Sequence, residues 1–183
     1  MTDSISLLPL HHASAEIQSA SDLYVDAFPP CERRDVDKWL HLIDNNKQFT
    51  VFGIYSDGNF QGFISCWEFA KFVYVEHFAV NSNARGNGIG AKSITAIKDK
   101  FALKPFVLEV EPPCDDLTQR RVGFYQRQGF VLSDINYSQP PYRKEDDWFE
   151  LKLMSTDSNF LEENSKEVIE NIYQHVYNTQ AVQ

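Results

Sequence analysis

The sequence predicts a mixed α/β fold, and three observations carry that prediction. The apolar run Phe72–Val80 is rich in β-branched and aromatic residues, and a glycine-rich turn and an amphipathic run follow it. A second strand pattern, Phe106-Val107-Leu108-Glu109-Val110-Glu111, precedes a second helix pattern that stops at Gly129. Two further strand-like runs flank Ser56-Asp57-Gly58-Asn59, whose Asp-Gly pair signals a hairpin.

Each element follows in chain order. Ile5–Leu10 reads as a first strand. Ser14 is placed to cap a helix with Ile17, Tyr24, Ala27 and Phe28 on one face. Phe28-Pro29-Pro30 ends that helix, because a proline disfavours helical backbone at the residue before it. A second helix carries Val36, Trp39, Leu40 and Ile43 at i, i+3, i+4, i+7. Strands Gln48–Tyr55 and Gly62–Phe69 form the hairpin, and the 72–80 strand comes next. Ile89, Ile94, Ile97 and Phe101 keep near-helical spacing, with Lys98 and Lys100 in the last turn, where cations suit the helix dipole. After the strand at 106–111, residues 117–128 read as a helix, and Phe130–Tyr137 with Trp148–Met154 as a closing pair of strands. These elements make a domain of residues 1–154. Residues 155–183 form a helical extension, with Asn159 and Glu162 as its cap and Leu161, Val168, Ile172 and Val176 as its apolar stripe. That stripe is expected to pack on its own domain; a homodimer contact is the sharper alternative.

Bulk properties exclude several classes. At 183 residues with 43 per cent hydrophobic content and 14 Phe, the chain can bury a core. No run approaches the roughly 18 apolar residues that span a bilayer, and Met1-Thr2-Asp3-Ser4 lacks a basic region followed by an apolar core, so no signal peptide is expected. Cys31, Cys66 and Cys114 are odd in number and lack CxxC spacing, so a reduced cytoplasmic protein without a metal is expected. A net charge of −9 argues against nucleic acid as a partner and is compatible with amine substrates.

The turn Arg85-Gly86-Asn87-Gly88-Ile89-Gly90 has glycine at alternate positions. Removing those side chains lets backbone N–H groups close on an anion, and the helix that follows adds unsatisfied N–H groups and its positive dipole end. A nucleotide P-loop competes with a pyrophosphate cradle here. The run Gly86–Ser93 misses G-x-x-x-x-G-K-[ST] only at Ala91, where the P-loop needs glycine. The pattern [QR]-x-x-G-x-[GA] is met in full by Arg85, Gly88 and Gly90. Downstream, Tyr125, Gly129 and Phe130 close a helix in Tyr-x-x-x-Gly-Phe after the Leu-Glu-Val strand.

With both hallmarks in order, residues 5–154 resemble the GNAT superfamily of N-acetyltransferases. The resemblance implies the layout β-α-α-β-β-β-α-β-α-β-β, with the fourth and fifth strands splayed apart. It implies acetyl-CoA as cosubstrate, bound by the backbone of Phe78, Ala79 and Val80, by Arg85, Gly86, Asn87, Gly88, Ile89, Gly90 and Ala91, and near Thr118, Phe124 and Tyr125. It implies Tyr125 as the phenol that reaches the thioester sulfur. The sequence departs from many relatives at Thr118 and Arg121, where they carry Asn and Ala, and the loop at Pro112–Asp116 is longer.

Acetyl transfer to an amine needs a base, a stabilised thioester oxygen and a proton for the departing thiolate. Glu76, Glu109 and Glu111 compete for the base; Glu109 occupies the position that serves as base in some relatives. His77 alternates away from Glu76 along the strand and reads as structural. Two Pro-stiffened segments are candidate acceptor walls. They are Phe28–Arg34, with Phe28, Glu32 and Arg33, and Tyr137–Lys144, with Tyr142 and Arg143; Glu111 adds charge. Cys31 and Cys114 lack a neighbouring His in sequence, so direct transfer is expected over a ping-pong route. The rival function class is a non-catalytic acyl-CoA-binding sensor or scaffold.

Overall fold

The structure, a computed structural model, describes residues 4–179. The chain divides into two compact units, Met1–Glu68 with Val75–Leu103, and Phe69–Tyr74 with Lys104–Gln183.

The first unit contains β1 (Ile5–Pro9), α1 (Ile17–Ala27), α2 (Val36–Asn45), β2 (Phe49–Ser56), β3 (Asn59–Glu68), most of β4 (Val73–Val80) and α3 (Ile89–Lys100). Its strands lie in the order β1-β2-β3-β4. Antiparallel registers place Leu7 opposite Ile54 and Gly53 opposite Phe63. Ile54 and Phe63 therefore point to opposite faces of the sheet. On the Phe63 face, Tyr24 of α1 stacks on Trp39 of α2 at 4.5 Å, and Phe63 closes on both rings. On the other face, Ile54, Ala84 and Ile89 form a core cluster, covered by Ile5, Leu7, Phe78 and Val80. Helices thus cover both faces. The buried face of α1 is Ala20, Ser21 and Tyr24, of which only Tyr24 is on the face expected from the sequence. Ser14 differs from expectation. Its hydroxyl accepts the His11 N–H at 2.8 Å, and α1 starts at Ile17 without a side-chain cap.

The second unit contains β5 (Phe106–Val110), α4 (Asp116–Arg127), β6 (Val131–Leu132), β7 (Tyr137–Gln139), β8 (Phe149–Ser155) and α5 (Ser158–Asn171), which runs on into a π-helical turn, Ile172–Val176. β8 pairs antiparallel with β5, β6 and β7. The segment expected as one strand over 130–137 is two short strands. Leu132 faces Met154 and Tyr137 faces Leu151, so five steps on one strand oppose three on its partner. The surplus is taken up where the Ile135 N–H donates to Ser133 Oγ at 3.0 Å, a local bond that competes with the ladder. The cap of α5 also differs. Asp157, not Asn159, accepts the Phe160 N–H at 2.9 Å. The expected stripe is buried within this unit, at Leu161, Val168, Ile172 and Val176, and Phe160 lies 6.1 Å from Phe72.

Candidate active site

The glycine turn is anchored on both sides by the first unit's core. Ala84 and Ile89 are buried in one cluster, while Arg85, Gly86, Asn87 and Gly88 between them are exposed. Gly88 is the N-cap of α3 and sits at φ 75°, ψ 2°, a left-handed conformation that L side chains avoid. A Cβ added at Gly86 or Gly88 would meet nothing within 4 Å. Glycine is therefore required by the backbone, while the space beside the turn is open. No side chain caps α3, so its first-turn N–H groups lack the intrahelical partner that later turns enjoy. Arg85 Nε donates to the Val80 carbonyl at 3.2 Å and ties the turn to the end of β4. Ala79 is buried, and Phe78 and Val80 are half-buried. An exposed glycine turn leading into a helix without a side-chain cap, beside an arginine, fits a pyrophosphate.

Tyr125 sits on the last turn of α4, which is closed by a Schellman motif. The Phe130 N–H donates to the Tyr125 carbonyl at 3.1 Å and the Gly129 N–H to the Gln126 carbonyl at 3.0 Å, with Gly129 at φ 86°. The motif's hydrophobic contact is Phe130 against Tyr125, ring centroids 5.7 Å apart; Phe124 meets Tyr125 at 5.1 Å. Burial pushes the Tyr125 phenol up to about 12, against a smaller opposing effect of Arg121, so it holds its proton at neutral pH. At the other end of α4, Asp115 and Thr118 form a capping box. The Thr118 hydroxyl, expected near the cofactor, is engaged in that cap.

The three carboxylates have different surroundings. Glu109, on β5, accepts from two phenols: Tyr137 to Oε1, and Tyr177 to Oε2 at 2.8 Å. Burial first, and the Glu109 charge second, raise both phenols well above their ordinary value, so both remain donors. Glu76 is an ion-pair partner. Its buried carboxylate pairs with Arg34 and accepts the Trp67 indole N–H at 2.8 Å. Burial alone would raise it; the Arg34 guanidinium, His77 and the Trp67 donor outweigh burial and hold it below the ordinary value. Glu76, expected as a second candidate base, is thus a carboxylate held by a guanidinium, which binds a proton poorly. Glu111 pairs with Arg121. Alternation sends Glu76 and His77 apart, yet both reach residues 28–34: the His77 Nε2–H donates to the Glu32 carbonyl at 2.9 Å, and its ring meets Phe28 at 4.5 Å.

The candidate acceptor residues divide by unit. In the first, Arg33 Nε donates to the Phe28 carbonyl at 3.0 Å and its guanidinium lies 5.9 Å from the Tyr24 ring centroid, so Arg33 braces its own segment. Glu32 is exposed. In the second, the Tyr142 ring lies 5.0 Å from Tyr177, and the Arg143 carbonyl accepts the Asp146 N–H. Sequence reasoning placed Arg34, Tyr137 and Gln139 inside the two candidate acceptor segments without giving them roles, and it missed Tyr177. Gln139 is buried on the same side of β7 as Tyr137, and its amide nitrogen has no partner among the described residues. None of these residues lies in a short motif, so only tertiary placement reveals them. Among the described residues, no group of three or more His, Cys, Asp or Glu is placed to hold a metal.

Residues 15–130 match the family described as acetyltransferase (GNAT) family. A solved structure from Bacteroides thetaiotaomicron, described as a "Putative acetyltransferase from GNAT family", is similar at TM-score 0.90 and 32% identity, over 96% of this chain and 99% of that one. Residues 155–183 are more than a tenth of the chain, so that likeness extends past residue 154. The Vibrio cholerae spermidine N-acetyltransferase, solved with CoA and spermine, shares the fold at TM-score 0.62 and 14% identity, over 82% of this chain and 94% of that one. The "Putative acetyltransferase YjbC" of Bacillus subtilis (strain 168) is 45% identical over 65 residues, 34% of this chain. The match spans about a third of that curated relative, 33% of its length.

Proposed function

Because the chain belongs to the GNAT acetyltransferase family, we propose that it moves an acetyl group from acetyl-CoA to a primary amine of a small molecule or peptide by direct transfer. Family membership makes it an acyltransferase that uses acyl-CoA; the acetyl donor and the amine acceptor are the reading offered here. The observation that carries it is the turn at Gly88, which needs glycine for its backbone yet leaves the space beside it open.

Acetyl-CoA, when bound, supplies the activated acetyl thioester. The residues of this chain do the rest. Arg85–Ala91 holds the pyrophosphate on backbone N–H groups and the α3 dipole. Glu109 takes a proton from the acceptor ammonium, and Tyr125 holds a proton for the sulfur as it leaves. Two facts support those roles: Tyr125 keeps its proton at neutral pH, and Glu109, on β5, is an acceptor for two phenols of the second unit. Tyr142 and Gln139 are candidate walls of the acceptor site. Amines such as spermidine, an alkylamine and a peptide α-amine are the acceptor classes to try. Titration calorimetry tests the cosubstrate assignment: the parent binds acetyl-CoA, and Gly88→Glu abolishes binding by filling the cradle and repelling phosphate. Equal binding by the two proteins would refute the loop assignment.

A further inference from the structure

The interruption between β6 and β7 opens a cleft on the second unit. The β7–β8 register sets Ser138 opposite Glu150, and pairing stops at Tyr137, one residue short of Asn136. The same register carried on would set Asn136 opposite Lys152. A cleft of about 460 Å³ lies there, lined by Asn136, Tyr137, Ser138, Glu150, Lys152 and Tyr173. That volume is in the range of small-ligand sites. Glu150 and Lys152 stand two apart on β8 and share a face. Among the described residues neither has an ion-pair partner, so the cleft holds one carboxylate and one ammonium without counter-charges. Tyr173 braces the wall: its hydroxyl donates to the Ser138 carbonyl at 2.6 Å, and its ring lies 5.7 Å from Tyr137 and 5.6 Å from the exposed Trp148. Tyr173 belongs to the π-helical turn that follows α5, and such turns are rare and collect at functional positions.

We propose that this cleft binds a zwitterion whose ammonium and carboxylate are one strand repeat apart, a dipeptide being the simplest, with its carboxylate on Lys152 and its ammonium on Glu150. Residues i and i+2 of a strand are about 6.6 Å apart, and two residues of extended chain span about 7 Å. A single α-amino acid holds its two charges too close together to reach both side chains. Charge also selects by exclusion. Glu150 repels a ligand that is only an anion, and Lys152 repels one that is only a cation. Asn136 offers an amide and Ser138 a hydroxyl to the peptide group between the two charges. An ammonium held on a carboxylate keeps its proton and is no nucleophile, so this site retains its ligand rather than acylating it. The inference therefore stands apart from the acyl-transfer reading.

Titration calorimetry on the full chain without acetyl-CoA tests this, with alanylalanine as the probe. Saturable binding at one site is expected. The N-acetylated dipeptide lacks the ammonium, the dipeptide amide lacks the carboxylate, and free alanine lacks the separation. Each should bind roughly ten-fold more weakly or worse, as expected when a hydrogen bond to a charged group is lost. Glu150→Lys and Lys152→Glu should each abolish binding. The two together should restore it, because the dipeptide can then lie in the opposite direction. Glu150 is exposed and Lys152 half-buried, so neither exchange removes core packing. In amide NMR spectra of the parent, alanylalanine should shift the Asn136 and Ser138 resonances. Absence of binding at millimolar dipeptide would overturn the proposal. So would binding that survives both single exchanges, or that either blocked dipeptide matches, since the ligand would then sit elsewhere or need only one charge.

Discussion

The Phe130 N–H donates to the Tyr125 carbonyl at 3.1 Å, and the two rings meet edge to face at 5.7 Å. This pair explains why Tyr and Gly-Phe occur together in the sequence. Gly129 supplies the left-handed residue, Phe130 supplies both the returning N–H and the ring, and together they fix the helix end from which Tyr125 projects.

Tyr125→Phe keeps that packing and removes only the O–H. If the phenol protonates the leaving thiolate, kcat should fall roughly ten- to a thousand-fold while acetyl-CoA affinity changes little. Steady-state kinetics with calorimetry on the same variant checks both halves. Unchanged turnover would restrict Tyr125 to packing.

Glu109 and Glu76 should respond differently to the same chemical change. Glu109→Gln should slow transfer mainly below the acceptor's own pKa, where a base must remove a proton. Glu76→Gln should act on stability first, because Glu76 is the partner of Arg34 and Trp67. Rate profiles over pH for both variants separate the two. A rate profile unchanged in Glu109→Gln would move the base to water or to another carboxylate.

The Arg34–Glu76 pair is buried, with 11% and 0% of the two side chains exposed. Arg34→Met leaves a carboxylate without its counter-charge and should cost about 3–5 kcal/mol, read by denaturant unfolding. The pH dependence has a definite sign. Glu76 lies below its ordinary value of 4.5 in the folded chain. Its contribution is complete above that value and is lost as pH falls through the folded value. His77, lowered from 6.5 chiefly by burial, acts in the same direction. The unfolded chain gains a proton there as pH drops below 6.5, while the folded chain resists it. Melting temperature should therefore fall from pH 7 toward pH 4, and Glu76→Gln should start lower but lose less below pH 4.5. Parallel curves for parent and variant would contradict this account of the pair.

What the sequence revealed was local. The glycine turn, the hairpin at Asp57-Gly58 and the Tyr-x-x-x-Gly-Phe ending each put their physical cause within a few residues, so spacing alone exposed them. The partners of the carboxylates were hidden. Arg34 lies 42 residues from Glu76, and Tyr177 lies 68 from Glu109, and only tertiary packing joins such positions. The break between β6 and β7 escaped because apolar residues at 130–132, 135 and 137 lie on both sides of it, while the Ser133 hydroxyl accepts the Ile135 N–H and diverts the backbone. Asp157 outcompeted Asn159 as a cap because the helix starts earlier than its apolar stripe.

Release of free CoA thiol from acetyl-CoA, followed in time with each amine of the panel, tests the central claim most directly. The account predicts release that depends on at least one primary amine, with acetyl recovered on that amine's nitrogen, and loss of the signal in Gly88→Glu. Tight acetyl-CoA binding with no amine-dependent release across the panel would contradict it and leave an acyl-CoA-binding sensor in its place.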